Sequence, residues 1–336
     1  MKTGKGSIQG HCDPKFHAVR DELEKNLQER DELGASVCVS IGGETVVDLW
    51  GGKVRADAPD PWEKDTISVV WSCTKGAAAL CMHILASRGQ LDLDAPVVKY
   101  WPELGAAGKE NIPVRMLLNH QSGVAVLQTP VPAGGFADPT LMASMLAAQA
   151  PLWAPGTRHG YHALMFAWLL GEMVRRVSGR TIGTFFREEV AGPLGLDFWI
   201  GLPEEHEARV APVIMPAPDM ESPFFKALMS DPTSTQALVY NDGGLTAQVN
   251  ERAAHAAEVA SAMGITNARG LVGMYAPLAC GGKLKGVSLV NNDSLARMIS
   301  TSSSTGADAV LLLPMRFSLG YMKSIDNRRP VGCRRA

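Results

Sequence analysis

The segment Ser72–Ser87, SCTKGAAALCMHILAS, constrains the fold more than any other part of the chain. It has no proline, it is built almost wholly from small and apolar residues, and Arg88-Gly89 closes it in the manner of a helix end. A helix that is apolar on most sides has to be surrounded by other elements, so it belongs in a core. Its two polar side chains of chemical interest, Ser72 and Lys75, are drawn in with it. A core of that kind needs size, and 336 residues supply it, as one large domain or two closely packed ones. With 46% hydrophobic and 20% charged residues the composition is that of a folded globular chain, which argues against disorder.

The balance of 32 basic against 34 acidic residues leaves a formal charge of −2, which gives no sign of nucleic acid or an anionic membrane as a dominant partner. The arginine pairs Arg328-Arg329 and Arg334-Arg335 read as a short solvated tail. Six scattered cysteines, Cys12, Cys38, Cys73, Cys81, Cys280 and Cys333, form no C-x-x-C pair and read as free thiols in a reducing compartment. The first residues, MKTGKGSIQGHCDPKF, lack the apolar run of a secretory signal, and no segment is long enough in apolar residues to span a bilayer. A cytoplasmic protein without a membrane partner is the expectation.

Periodicity predicts an amphipathic helix over Phe16–Glu32 with Val19, Leu23 and Leu27 on one side. Ala35–Ile41 and Glu44–Trp50 are β-rich runs separated by Gly42-Gly43, a hairpin signal. Further helices are expected at Leu141–Ala148, Ala163–Val177 (capped by Gly179), Thr181–Glu189, Ala253–Met263 and Arg269–Leu278. Ala309–Leu313 fits either strand or helix. The pattern predicts an α/β fold: residues 1–95 and 235–336 form a sheet region and 96–234 a helical region, together one two-lobed catalytic unit.

Ser72-Cys73-Thr74-Lys75 is the only S-x-x-K in the chain. About one such match is expected by chance in a chain this long, so its setting matters more than the tetrapeptide. Three residues apart at the start of a helix, Ser72 and Lys75 share a face. The hydroxyl sits at the positive end of the helix dipole, where an oxyanion is stabilised. A lysine on an apolar helix is desolvated, which lowers its pKa and lets it act as a base. The competing reading makes Ser72 an N-cap and lets Lys75 reach solvent.

The stretch VVWSCTKGAAALCMHILASRGQLDLDAPVVKYWPEL, followed by IPVRMLLNHQSG and WAPGTRHGYHALMFAWLLGEMVRRVSGRTIGTFFREEVAGPLGL, resembles the serine β-lactamase and penicillin-binding-protein superfamily. Within that superfamily it looks most like the class C-like carboxylesterases often called family VIII. The resemblance runs with gaps from about Phe16 to Tyr321 and implies an antiparallel sheet flanked by helices. It also implies that Tyr161, in Pro155–His162, reaches Ser72 and Lys75, its phenol acidified by the ammonium so that it takes the serine proton and later protonates the leaving group. In such enzymes one oxyanion donor is the nucleophile's own N–H, here that of Ser72; the second is not identifiable in this sequence. Trp71, Phe136, Trp153 and His162 are candidates for the substrate pocket, with a core role as the alternative for the aromatic rings. His120, in Leu117–Gly123, reads as a hydrogen-bonded turn, and His159 and His162 flank Tyr161 without the spacing of a metal site. No nucleotide-binding glycine pattern is present, so no cofactor and no metal are expected.

Two departures modify the resemblance. Ala163 stands where penicillin-recognising relatives usually carry asparagine, which turns the expectation from β-lactams toward esters. The third family motif, a K-T-G or its equivalent on a strand, has no counterpart after Phe317–Met322, where the sequence runs on as SIDNRRPVGCRRA. A sheet incomplete at that end, an uncovered hairpin edge and self-association to cover it are therefore expected. The function expected is a serine carboxylesterase acting on small or short-chain acyl esters through a Ser72 acyl-enzyme. The alternatives are β-lactam or D-alanyl peptide hydrolysis, or an impaired homologue kept as a binding or assembly module.

Overall fold

The computed structural model of the chain describes residues 7–325. Arg328-Arg329, Arg334-Arg335 and Cys333 lie outside the described residues. Cys12, Cys38, Cys73, Cys81 and Cys280 are free thiols, and no helix among the described residues is long and apolar enough to cross a membrane.

A three-stranded antiparallel sheet forms from β1 (Gln9–Cys12), β2 (Gly34–Ile41) and β3 (Glu44–Gly52), in the order β1-β3-β2. The β2–β3 hairpin is the one expected from Gly42-Gly43: both glycines have positive φ, +59° and +88°, as a tight two-residue turn requires. β1 was not anticipated; a four-residue strand containing one glycine carries too little alternation to be read. α1 (His17–Glu29) buries Leu23 and Leu27 against Val47 and Leu49 of β3. On its other flank β2 meets the helix Ala268–Ala279, where Ser36 Oγ accepts from the Ala268 N–H at 3.2 Å and Arg269 pairs with Asp48 at 2.8 Å.

The larger core is organised by α2 (Thr74–Ser87), in which every residue from Thr74 to Leu85 is buried. Fully burying side chains such as Leu80, Met82 and Ile84 contributes roughly 1.5–3 kcal/mol each. Short α3 (Arg115–Leu118), α4 (Pro139–Ala148) and α5 (Phe166–Ser178) pack around it, and Gly179 ends α5 in the left-handed conformation at φ +75°. The segment after Thr181 is α-helical only over Ile182–Phe186 and then widens into a π-turn through Ala191. Ala309–Leu313 is neither strand nor helix but a turn.

A second, four-stranded sheet leads into the head of α2. It consists of β4 (Ile67–Val69), β5 (Phe198–Ile200), β6 (Val210–Ala211) and β7 (Gly264–Thr266), in the order β5-β7-β4-β6. The helix expected over Ala253–Met263 spans only Arg252–Ala256, and turns carry the chain from there to β7.

Candidate active site

β4 runs straight into Val70, Trp71 and Ser72, and the chain has to turn sharply to enter α2. Trp71 makes that turn at φ +44°, a left-handed conformation that costs a non-glycine residue about 1–3 kcal/mol. Three hydrogen bonds hold it. Thr74 Oγ1 donates to Trp71 O at 2.5 Å and accepts from Gly264 N–H of β7 at 2.8 Å, while Val70 N–H donates to Gly264 O at 2.9 Å. The strained turn leaves Ser72 exposed at the head of an otherwise buried helix. A nucleophile needs that placement: a free hydroxyl on a rigid support.

Lys75 lies beneath it, 5% exposed. Its Nζ is 3.1 Å from Ser72 Oγ, 2.6 Å from Ala163 O and 2.9 Å from Ser261 O. Burial pushes the amine down to about 7. A neutral amine has two hydrogens and one lone pair. Donating the hydrogens to the two carbonyls directs the lone pair at the serine hydroxyl. Both carbonyls are available because their residues are outside helices: α5 begins at Phe166, not at Ala163 as the periodicity predicts, and the backbone around Ser261 is irregular. In a continuous helix these oxygens would be consumed four residues on.

Tyr161 is half-buried, with its ring centroid 4.8 Å from Lys75 Nζ. The resemblance led to the expectation of an acidified phenol, and the structure reverses it. Burial pushes Tyr161 up to about 12, and only a contact with the Ser72 hydroxyl opposes the rise. The buried Asp308 carboxylate adds to the rise. Of the two groups the amine is the one whose pKa lies near neutrality.

The backbone of Tyr161 is anchored by Asp308, a fully buried carboxylate whose Oδ1 accepts from the N–H groups of Tyr161 (3.1 Å), Val310 (2.8 Å) and Leu311 (2.8 Å). His159 Nε2 lies 3.2 Å from the other carboxylate oxygen; burial lowers the His159 pKa and Asp308 counteracts it. Sequence reasoning missed Asp308. The available signal was an isolated acid directly before the apolar run Ala309–Leu313, the arrangement of a side chain that caps the following turn.

The pocket candidates divide. Trp71 and Trp153 are partly exposed, and Trp153 packs against Gly160, next to Tyr161. Phe136, at 2%, and His162, at 0%, are sealed in the core and do not line a pocket. His162 instead meets Ser122 Oγ through Nε2 at 3.1 Å, its backbone N–H donates to His120 Nδ1 at 3.1 Å, and burial pushes its imidazole down to about 3. His120 makes a left-handed turn at φ +66° and packs among Tyr161, Phe166 and Phe317. Among the described residues no group of three or more His, Cys, Asp or Glu side chains is placed to hold a metal ion.

A family model described as Beta-lactamase matches residues 19–329. Esterase/beta-lactamase LipL of Mycobacterium tuberculosis (strain ATCC 25618 / H37Rv) is 33% identical over 320 residues, covering 94% of this chain and 74% of that protein. The crystal structure of a family VIII carboxylesterase superposes with a TM-score of 0.82 at 36% identity, covering 95% of this chain and 84% of that one. A penicillin-binding-protein homologue from Caulobacter crescentus superposes with a TM-score of 0.85 at 33% identity, covering 96% and 84%.

Proposed function

The chain belongs to the beta-lactamase family of hydrolases, and from that premise we propose that it is a serine carboxylesterase in which Ser72 is the nucleophile, Lys75 the base and Tyr161 the acid. The observation that carries this reading is the buried Nζ of Lys75, its pKa pushed down to about 7, lying 3.1 Å from the exposed Ser72 hydroxyl. Neutral Lys75 takes the Ser72 proton as Oγ bonds to the ester carbonyl carbon. The carbonyl oxygen becomes an oxyanion beside the Ser72 N–H at the head of α2. Tyr161 then gives its proton to the departing alcohol oxygen and recovers one from protonated Lys75, so the C–O bond breaks without releasing an alkoxide. Water enters by the reverse proton route and frees the acid from the acyl-enzyme.

The esterase reading is supported by the names of the relatives, an Esterase/beta-lactamase and a family VIII carboxylesterase, and by Ala163 in place of the asparagine of penicillin-recognising relatives. The first of those names also favours a second reading, β-lactam hydrolysis by the same serine. The test is intact mass after a fluorophosphonate, run beside assays with p-nitrophenyl butyrate and nitrocefin. Labelling at Ser72 with ester turnover supports the proposal, and nitrocefin turnover alone selects the second reading. An unlabelled, inactive protein leaves only the non-catalytic role.

A further inference from the structure

Gly76 is the third residue of α2, and a glycine there is a poorer helix former than the alanines that follow it. The space it leaves is taken by the helix Ala268–Ala279: a Cβ added at Gly76 would run into the hydroxyl of Tyr275. The Tyr275 ring is braced by Tyr321, whose ring centroid lies 6.3 Å away at 69° and whose own hydroxyl donates to Gly76 O at 3.1 Å. Tyr275 is 37% exposed, and its hydroxyl has no hydrogen-bond partner among the described residues. Burial, and then the negative charge of an ionised Cys73, push the phenol up to about 12, so it keeps its proton at neutral pH. The head of α2 therefore carries a fixed hydroxyl donor without an acceptor.

We propose that the Tyr275 hydroxyl is the second hydrogen-bond donor to the oxyanion that forms on Ser72, acting with the Ser72 N–H. The proposal rests on the reading of Ser72 as the nucleophile. Helical side chains lean back toward the N-terminus, so the spot where a Gly76 Cβ would stand lies over the turn Ser72-Cys73. Four residues advance about 6 Å along a helix, and the lean shortens that separation. Two donors that share one oxygen at about 2.9 Å each stand up to about 5.8 Å apart, so the spacing suits a shared oxyanion. The direction suits it too. Around the helix Lys75 and Gly76 fall on opposite sides of Ser72, about 60° and 40° from it. The carbonyls of Ala163 and Ser261 that bind Lys75 Nζ, and the Tyr161 ring 4.8 Å from it, occupy the Lys75 side. The leaving oxygen turns toward the acid Tyr161. The oxyanion, a separate corner of the tetrahedral carbon, turns to the other flank, where Tyr275 stands.

A butyl trifluoromethyl ketone separates this contact from packing, because Ser72 adds to its carbonyl carbon and leaves a stable oxyanion in the site. Tyr275→Phe keeps the ring against Gly76 and Tyr321 and removes only the hydroxyl. It lowers kcat for p-nitrophenyl butyrate by about 10²-fold with KM within about threefold, and weakens inhibition by the ketone by a similar factor. Gly76→Ala displaces the same hydroxyl from the α2 side and lowers kcat as well, while the double variant loses no more than the larger single loss. Thermal melting of each variant separates loss of the donor from loss of the fold. A kcat within about threefold of the parent in Tyr275→Phe, a loss confined to KM, or a slowed variant that binds the ketone as tightly as the parent would overturn the assignment of Tyr275 while leaving the esterase reading intact. A parent protein that turns over no ester and takes no fluorophosphonate at Ser72 removes the esterase reading and the Tyr275 assignment with it.

Discussion

The molecule contains two hydroxyl–base pairs with the same separation. Ser72 Oγ lies 3.1 Å from Lys75 Nζ, and Ser122 Oγ lies 3.1 Å from His162 Nε2. By distance alone the second resembles a hydrolytic pair more closely, since histidine is the commoner general base. What separates them is access and basicity. Ser72 is exposed at a strained turn, whereas Ser122 and His162 are both fully buried. Burial brings Lys75 to about 7, close to neutrality, but drives His162 to about 3, where it has almost no affinity for a proton. The same desolvation that makes a usable base of an amine removes the basicity of an imidazole, because the two start on opposite sides of their target.

The largest effects expected from this comparison fall on the first pair. Ser72→Ala and Lys75→Ala each lower kcat for p-nitrophenyl butyrate by about 10⁴-fold or more, and the double variant loses little beyond either alone, since a nucleophile and its base act as a unit. Additive losses, or fluorophosphonate labelling that persists in Ser72→Ala, would break the assignment. Tyr161→Phe follows, with a loss of about 10²–10⁴-fold in kcat and little change in KM, because the phenol serves the transition state and not binding. A loss confined to KM would return Tyr161 to a packing role.

The pH profile sharpens the contrast in basicity. In the proposed mechanism Lys75 acts when neutral, and its pKa is pushed down to about 7. Activity therefore rises with pH, by about tenfold between pH 6 and pH 8, and levels above that until Tyr161, pushed up to about 12, begins to lose its proton. The rising limb is measured on kcat under conditions where chemistry limits, after subtraction of spontaneous hydrolysis. A limb that survives unchanged in Lys75→Arg would belong to another group.

How much of this was legible in the sequence depends on whether the information sat in side chains. Ser72 and Lys75 were named from residue type and spacing and Tyr161 from the family resemblance, and the long periodic helices and the Gly42-Gly43 hairpin were read within a few residues. The strands β4 to β7, of two or three residues each, were not, because alternation needs more length than that to show. The carbonyls of Ala163 and Ser261 were also invisible: any residue supplies a carbonyl, and only the breaks in the helices free these two. His162 and Phe136 were misplaced for the opposite reason, since an aromatic or imidazole ring beside a catalytic motif suits a pocket and a core equally well. The direction of the Tyr161 shift depends on how far the phenol itself is buried, which spacing does not encode.

The smallest expected effect on rate comes from the second pair. Ser122 Oγ is held by His162 Nε2 and also accepts from Val124 N–H at 3.2 Å. Ser122→Ala leaves both groups buried without a partner, at a cost of about 1–3 kcal/mol of stability, because a stranded polar group in a dry interior forfeits its full hydration. In a chain of this size that is a fall of a few degrees in Tm. The rate should remain within about twofold of the parent, since Ser72, Lys75 and Tyr161 are held by β7, by the carbonyls of Ala163 and Ser261, and by Asp308, not by Ser122. Thermal melting and ester turnover on the same preparation decide the matter. A variant that melts like the parent yet turns over esters ten times more slowly would mean that the buried pair takes part in the chemistry, and that access and basicity do not divide the two pairs as drawn above.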